Sequence, residues 1–456
     1  MNTFLWPQHL LSILTFLLTL TFVSSILRAR RAAGSTLAWL GIICIAPYIG
    51  IPVYLFLSTR KSKTATVQFE VNSERLPGNQ LSSTQKILLH SGSPGAQENQ
   101  EIELLPTGVA AYEQLMALIR GARRSIHVTT FIFGKDQVGL AVVDALSEKA
   151  KEGVDVRVLV DSLGATLIRH PSFKRYQQMG GKIAYFMPIF HLPFRGRTNL
   201  RNHRKLMVVD GERALVGGMN LAQEYLGPTA DPKRWVDLAV SVKGGCVQDL
   251  KEIFLRDWAY AHRAEFKKSR EPYRASQGGK LLAQVVASGP DVEGDLLYDV
   301  LLSAIHESKK NIWIVSPYFI PDEGLTKALD LAVKRGVSVQ IIIPERSNHF
   351  LADLARGSFI RDLHSVGVQI AFYPKMIHAK VVMIDQTLAI VGSANFDMRS
   401  LLFNYELGLV IYSQPSLKDL EKWIQEQQDE TGSEFPPANF WRDLVEGIAR
   451  IIGPIL

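Results

Sequence analysis

The sequence predicts an α/β protein of two duplicated halves, preceded by a two-helix transmembrane hairpin. Three observations carry this: a short motif that occurs twice, a longer repeat of strand, loop, helix, Gly and strand around it, and two apolar runs near the N-terminus.

The apolar runs come first. His9 to Leu27 is broken by Ser and Thr but by no acid or base, and Ser35 to Leu57 is similar. Each is about 20 residues, which at about 1.5 Å per residue crosses a hydrocarbon core about 30 Å thick. A secretory signal is disfavoured, because MNTFLWPQ carries no Lys or Arg and a second run follows within a few residues. Arg28, Arg30 and Arg31 in the turn balance Arg60, Lys61 and Lys63 beyond the second run, so the positive-inside rule leaves the orientation open. Residues 1–60 are therefore read as the anchor. From 61 to 105 the composition turns to Ser, Gln, Asn, Gly and Glu, the pattern of a polar linker, with one short strand expected near Lys86 to His90.

The long repeat sets RRSIHVTTFIFGKDQVGLAVVDALSEKAKEGVDVRVLVD beside KKNIWIVSPYFIPDEGLTKALDLAVKRGVSVQIIIP. Each is an α/β unit, followed in both halves by a further strand (GGKIAYFM and GVQIAFYP) and then by the short motif. The halves are placed at 106–268 and 281–456, with 269–280 joining them.

In the first copy, NHRKLMVVDGERALVGGMN, His203, Lys205 and Asp210 are spaced H-x-K-x-x-x-x-D, and Gly217, Gly218 and Asn220 follow. The second, IHAKVVMIDQTLAIVGSAN, repeats the spacing with His378, Lys380 and Asp385, then Gly392, Ser393 and Asn395. The apolar, β-branched residues after each His-x-Lys mark a buried strand, in which residues two apart share a face. Each His therefore projects with its Lys. Burying cations is costly unless an anion pairs with them, so two such pairs brought together suit a phosphodiester. Asp210 and Asp385 lie too far along the strand to reach the same phosphate and are expected to hold local backbone.

Between Pro188 and Arg201 the first half carries an insertion, PIFHLPFRGRTNLR, that the second lacks. Its Arg195, Arg197 and Arg201 could hold a lipid phosphate while Phe190 and Phe194 sit at the headgroup boundary; a solvated basic loop is the alternative. From Phe440 to Leu456, Trp441, Leu444, Val445, Ile448, Ile451, Ile452 and Ile455 fall on one helical face, which either docks on the core or lies in a bilayer surface.

Composition bounds the rest. At 456 residues and 47% hydrophobic the chain can bury a large core, and its net charge of +7 suits an anionic partner without separating lipid from nucleic acid. Cys44 lies in an apolar run and Cys246 in the α/β part, so no disulfide or cysteine metal site is expected. No clustered acidic ligand set and no Gly-rich nucleotide loop is evident, and no cofactor is expected.

The paired motifs resemble those of the phospholipase D superfamily, and the order and spacing from about Pro106 onward are most similar to the bacterial cardiolipin synthases, as is the stretch AWLGIICIAPYIGIPVYLFLSTRK in the anchor. The resemblance implies halves packed face to face about a pseudo-twofold axis, no metal, and a bacterial inner-membrane location. It implies His203 as nucleophile, giving a phosphohistidine, and His378 as acid and then base, with Lys205, Lys380, Asn220 and Asn395 on the phosphoryl oxygens. Each imidazole needs a carboxylate on its far nitrogen. Asp237 in RWVDLAV and Glu406 in NYELGLV are the candidates, ordinary strand-end acids being the alternative. The implied reaction moves a phosphatidyl group from one phosphatidylglycerol to another, giving cardiolipin and glycerol. Hydrolysis by a phospholipase D or a tethered nuclease, and a non-catalytic lipid-binding scaffold, are the competing readings; the hairpin favours lipid over nucleic acid, and two intact His-Lys pairs weigh against a scaffold.

Overall fold

The computed structural model describes residues 5–28, 33–57, 81–167, 172–188, 199–266, 279–432 and 439–452. The chain divides into two units, Met1–Ser62 with Pro188–Leu200, and Lys63–Met187 with Arg201–Leu456.

In the first unit the apolar runs form three helices, α1 (Leu5–Arg28), α2 (Ala33–Ile45) and α3 (Pro47–Leu57). The second expected span is thus broken at Ala46, because the proline that follows has no N–H to continue the helix. Gly50 lets the two pieces approach: a Cβ there would lie 2.8 Å from the Ile42 carbonyl oxygen. Tyr54 is the hub, with Phe22 and Trp39 edge-on to its ring at 5.7 and 5.2 Å and Ile26 and Ile43 buried beside it. Most described large apolar residues of α1, among them Leu10, Ile13, Phe16 and Leu17, are exposed. Among the described residues no helix is long and apolar enough to cross a membrane. The turn arginines Arg30 and Arg31, and residues 58–80 with Arg60, Lys61 and Lys63, lie outside the described residues.

The second unit holds the duplicated halves. The stretch expected as linker is structured from 81 onward. Residues 83–90 form helix α4 (Ser83–His90), not a strand, because Ser82 and Gln85 close a capping box, each side chain bonding the other's backbone N–H. Strand β1 (Gln97–Leu105) then enters the sheet; its alternating polar residues gave it the look of linker. The first half continues as α5 (Gly108–Gly121), β2 (Ser125–Thr130), α6 (Gln137–Lys151), β3 (Asp155–Asp161), α7 (Ser162–Leu167), α8 (Phe173–Gln178), β4 (Lys182–Phe186), β5 (Leu206–Val209), β6 (Arg213–Gly217), β7 (Ala239–Gly244) and α9 (Cys246–Ala261). The second runs β8 (Leu281–Ser288), α10 (Leu296–Glu307), β9 (Asn311–Val315), β10 (Phe319–Ile320), α11 (Glu323–Lys334), β11 (Ser338–Pro344), α12 (Phe350–Ser365), β12 (Gln369–Tyr373), β13 (Val381–Ile384), β14 (Leu388–Gly392), β15 (Phe396–Asp397), α13 (Met398–Leu402), β16 (Glu406–Ile411), α14 (Gln414–Asp429) and α15 (Phe440–Ile452).

Local chemistry repeats with the fold. Asp136 and Asp322 cap α6 and α11 by accepting from Gly139 and Leu325 N–H, and Gly153 and Gly336, at φ +90° and +86°, end them. One sheet of 14 strands results, ordered β12-β11-β9-β13-β14-β16-β8-β1-β7-β6-β5-β2-β3-β4. Read from either edge the order is the same, three parallel strands followed by four antiparallel ones. The halves therefore join edge to edge through β1 and β8, with Gln97 opposite Ala283, and not by packing sheet faces together as expected. Each half has its own apolar core, one around Val142, Leu146 and Val158, the other around Leu329, Ile341 and Ile343.

Candidate active site

The motif strands are hairpins. In β5–β6 the turn places Asp210 and Gly211 at φ +54° and +67°, and in β13–β14 Asp385 and Gln386 occupy the same positions at +50° and +54°. Both φ values positive is the type I′ geometry that matches strand twist. From there Asp210 accepts from the N–H groups of Arg123, Arg124 and Ser125 at 2.9, 2.7 and 2.8 Å. Asp385 does the same for Lys309, Lys310 and Asn311 at 2.6, 2.7 and 2.8 Å. Both aspartates thus anchor the start of the neighbouring strand, at the end of the hairpin away from the histidines.

At the other end the halves cross over. His203 N–H donates to the Tyr405 carbonyl at 2.9 Å, and the next residue, Glu406, faces His203 Nδ1 with its two oxygens at 3.0 and 3.2 Å. His378 N–H donates to the Val236 carbonyl at 2.6 Å, and the next residue, Asp237, lies 2.7 Å from His378 Nδ1. Each imidazole therefore has an acid from the opposite half against its Nδ1, while Lys380 Nζ lies 2.7 and 3.1 Å from Nδ1 and Nε2 of His378. Aromatic edges wall the rings: Phe131 at 5.3 Å from His203, Tyr225 at 4.9 Å from His378.

The two acids are seated differently, which accounts for the one difference between the glycine positions of the motifs. Glu406 reaches far enough to leave room for Ser393, whose hydroxyl donates to Oε2, and Asn404 donates to Oε1 at 3.3 Å. Asp237 is shorter, and its Oδ1 would lie 2.3 Å from any Cβ at position 218, so only glycine fits there.

Lys205 and Lys380 are buried, and each ammonium donates to the carbonyl of its own histidine. Burial lowers Lys205 to about 7, Glu406 opposing and Lys380 reinforcing; burial lowers Lys380 to about 8 against Asp237 and Glu406. His203 is lowered by burial, opposed by Glu406. His378 is pushed to about 3, first by burial and then by Lys380, whose Nζ lies 3.1 Å from Nε2. Burial alone would raise Glu406, but His203 and Lys205 hold it below the usual carboxylate range. A phosphodiester anion between the lysines would reverse these cation shifts. Asn220 and Asn395 are buried nearby; Asn220 Oδ1 accepts from Ile132 N–H at 3.2 Å, and Asn395 is hydrogen-bonded to Asp397.

Arg201 is not presented to a headgroup. It is 2% exposed and donates to Asp161 at 3.3 Å and to the Met187 carbonyl at 2.9 Å, because the chain re-enters the sheet there and Asp161 also takes the Asn202 N–H. Phe190, Phe194, Arg195 and Arg197 lie outside the described residues. Sequence reasoning missed Arg204, which alternation turns away from the His203 face. It binds Asp257 at 2.6 Å and the Glu406 carbonyl at 3.1 Å, tying the first motif to the strand that carries its acid. Its only signal was H-R-K in one motif against H-A-K in the other.

Residues 115–258 and 301–427 match the family described as cardiolipin synthase, PLD-like domain, and residues 17–58 match the phospholipase D-nuclease N-terminal family. The chain is 32% identical to the major cardiolipin synthase of Bacillus subtilis over 98% of its length and 100% of that protein. It is 32% identical to cardiolipin synthase 1 of Bacillus cereus, covering 94% and 90% of the two chains, and 30% identical to the cardiolipin synthase of Listeria monocytogenes, covering 98% and 99%. Among solved structures, phosphatidylserine synthase of Haemophilus influenzae shares the fold, with a TM-score of 0.64 at 19% identity over 82% of this chain and all of that one.

Proposed function

The chain belongs to the cardiolipin synthase family of phospholipase D-type phosphatidyltransferases, and from that premise we propose how its residues act on two phosphatidylglycerol molecules. The observation that carries the reading is the crossed pair of imidazole–carboxylate contacts, His203 with Glu406 and His378 with Asp237, beside two buried lysines.

His203, with Glu406 on Nδ1, attacks phosphorus through Nε2. The bond to the glycerol oxygen breaks, that oxygen takes a proton from His378, and a phosphatidyl-histidine remains. His378 then accepts the proton of a second phosphatidylglycerol's terminal hydroxyl as its oxygen displaces His203, which restores both histidines and completes cardiolipin. Lys205 and Lys380 neutralise the non-bridging oxygens, which gain charge in each transition state, with the amides of Asn220 and Asn395 as further donors. Because burial and Lys380 disfavour the imidazolium of His378, the histidine takes the proton it delivers from solvent as the substrate binds, the phosphodiester's negative charge raising it. One phosphodiester is exchanged for another, so no nucleotide is consumed. The three apolar N-terminal helices are the natural membrane anchor, and we place the protein at the bacterial cell membrane.

The test is incubation of purified protein in mixed micelles with labelled phosphatidylglycerol. Cardiolipin and glycerol in equal amounts are expected; phosphatidic acid without cardiolipin would replace transfer by hydrolysis, and no product would remove the enzyme reading.

A further inference from the structure

Helix α15 is docked the wrong way round for a soluble protein. Its polar side faces inward: Glu446 is 1% exposed, seated against Gly357 of α12, where a Cβ would lie 2.1 Å from its Oε2. Arg361 of α12 donates to Glu446 and, at 2.7 Å, to Asp443, while Arg442 reaches Glu446 at 2.7 Å. Arg450 bonds Asp362 at 3.0 Å and covers the Phe359 ring at 4.2 Å, and Ala449 is buried in the same contact. At about 100° per residue, Phe440, Trp441, Leu444, Val445 and Ile448 fall on the opposite side. They are 72%, 71%, 46%, 46% and 57% exposed. The ion pairs prevent the helix from rolling to bury them, since that would bring Glu446 out and strand Arg361.

We propose that α15 is an in-plane membrane helix, held to the catalytic fold by its polar face and laying its apolar face into a phospholipid surface. Charge placement favours lipid: both acids of the helix are paired to Arg361, while Arg442 and Arg450, themselves paired to Glu446 and Asp362, stand at the border with side chains 43% and 36% exposed and carry the positive charge beside the apolar face, toward anionic headgroups. Phe440 and Trp441, ring to ring at 5.5 Å, are the residue types of the membrane interface. Phe350 and Leu351, at the start of the helix that carries α15, are also exposed. The proposal rests on the site acting on phospholipid and adds a second contact with the lipid that supplies it.

The test uses the full chain with Cys44→Ser and Ile448→Cys, nitroxide-labelled and reconstituted in phosphatidylglycerol–phosphatidylcholine vesicles; Cys246 is buried. The label at 448 is expected to be relaxed by oxygen and shielded from a water-soluble nickel chelate, while a label at Lys422→Cys on exposed α14 shows the reverse. Equal access of the chelate at both positions would overturn the proposal, as would spin–spin broadening at 448 without oxygen preference, which would mean a second copy. Cardiolipin formation is read in the same vesicles, so product made with a water-exposed label sinks only the helix, whereas no product from the unlabelled parent sinks the reading of the site.

Discussion

Replacing Glu406 by Gln removes a charge without changing shape, and the surroundings allow the cost to be worked out. Three donors converge on this carboxylate: His203 Nδ1 at 3.0 Å, Asn404 at 3.3 Å and Ser393. A carboxylate accepts from all three. An amide oxygen can still accept from His203 and Asn404, with the NH2 turned to the Ser393 hydroxyl, but the imidazolium character that develops on His203 as it attacks loses its counter-charge. A hydrogen bond to a charged group contributes about 1.5–3 kcal/mol, so the phosphorylation step should slow by about 10- to 150-fold. With a phosphatidyl p-nitrophenol substrate, whose leaving group needs no proton, the burst of nitrophenol in rapid-quench experiments reports that step alone. Glu406→Gln should slow the burst by that factor. Asp237→Asn acts on the acid and base, so it should leave the burst nearly intact and slow the turnover that follows. Equal effects of the two variants on the burst, or a slowed burst from Asp237→Asn only, would refute the crossed assignment.

Three further outcomes follow from the same geometry. Lys205→Met should cut turnover by about two to four powers of ten; because the folded-state pKa is depressed to about 7, the cost of burying the ammonium is full below that pH and fades toward the unfolded value near 10.4, so the variant should gain about 2–4 kcal/mol of stability at pH 6.5 and little at pH 10 in denaturant titrations. Asp210→Ala should lose about 1–3 kcal/mol, read as a lower melting temperature, since three backbone N–H groups lose their acceptor, yet kcat of the folded fraction should stay within about threefold. Binding of a phosphodiester analogue at pH 7.5 should take up about two protons, about one by Lys205 and Lys380 together and up to about one by His378, because the anion raises all three from their depressed values; calorimetry in buffers of different ionisation heat measures it, and proton release would contradict the account.

The motif strands were legible because the His-x-Lys spacing and the apolar residues behind it leave few alternatives, and the resemblance pointed to Asp237, which lies just before β7, and Glu406, which opens β16. That each serves the other half's histidine was not legible, since the crossing depends on two short parallel bridges, Asn202 with Tyr405 and Val236 with Ile377, that no local pattern announces. Strand β1 was missed because its exposed residues are Glu98, Gln100 and Glu103 and one of its buried ones is the polar Asn99, leaving Ile102 and Leu105 as the buried apolar residues. Helix α4 was misread despite a capping box visible in Ser82 and Gln85. Arg201 looked like part of a basic loop, but its burial against Asp161 is set by a residue 40 positions earlier. The C-terminal periodicity gave α15 correctly and left open which face would dock; ion pairs with Arg361 decide that, and pairing across distant segments is not periodic.

The central claim is that His203 carries the phosphatidyl group. Its most direct test is mass spectrometry at neutral pH, after a denaturant quench, of the His378→Asn variant exposed once to phosphatidyl p-nitrophenol, where the nucleophile is intact and the second step lacks its base. A phosphatidyl adduct on His203 near one per chain is expected, and none in His203→Asn. An adduct on His378 in the His203→Asn protein, or full activity of His203→Asn, would contradict it.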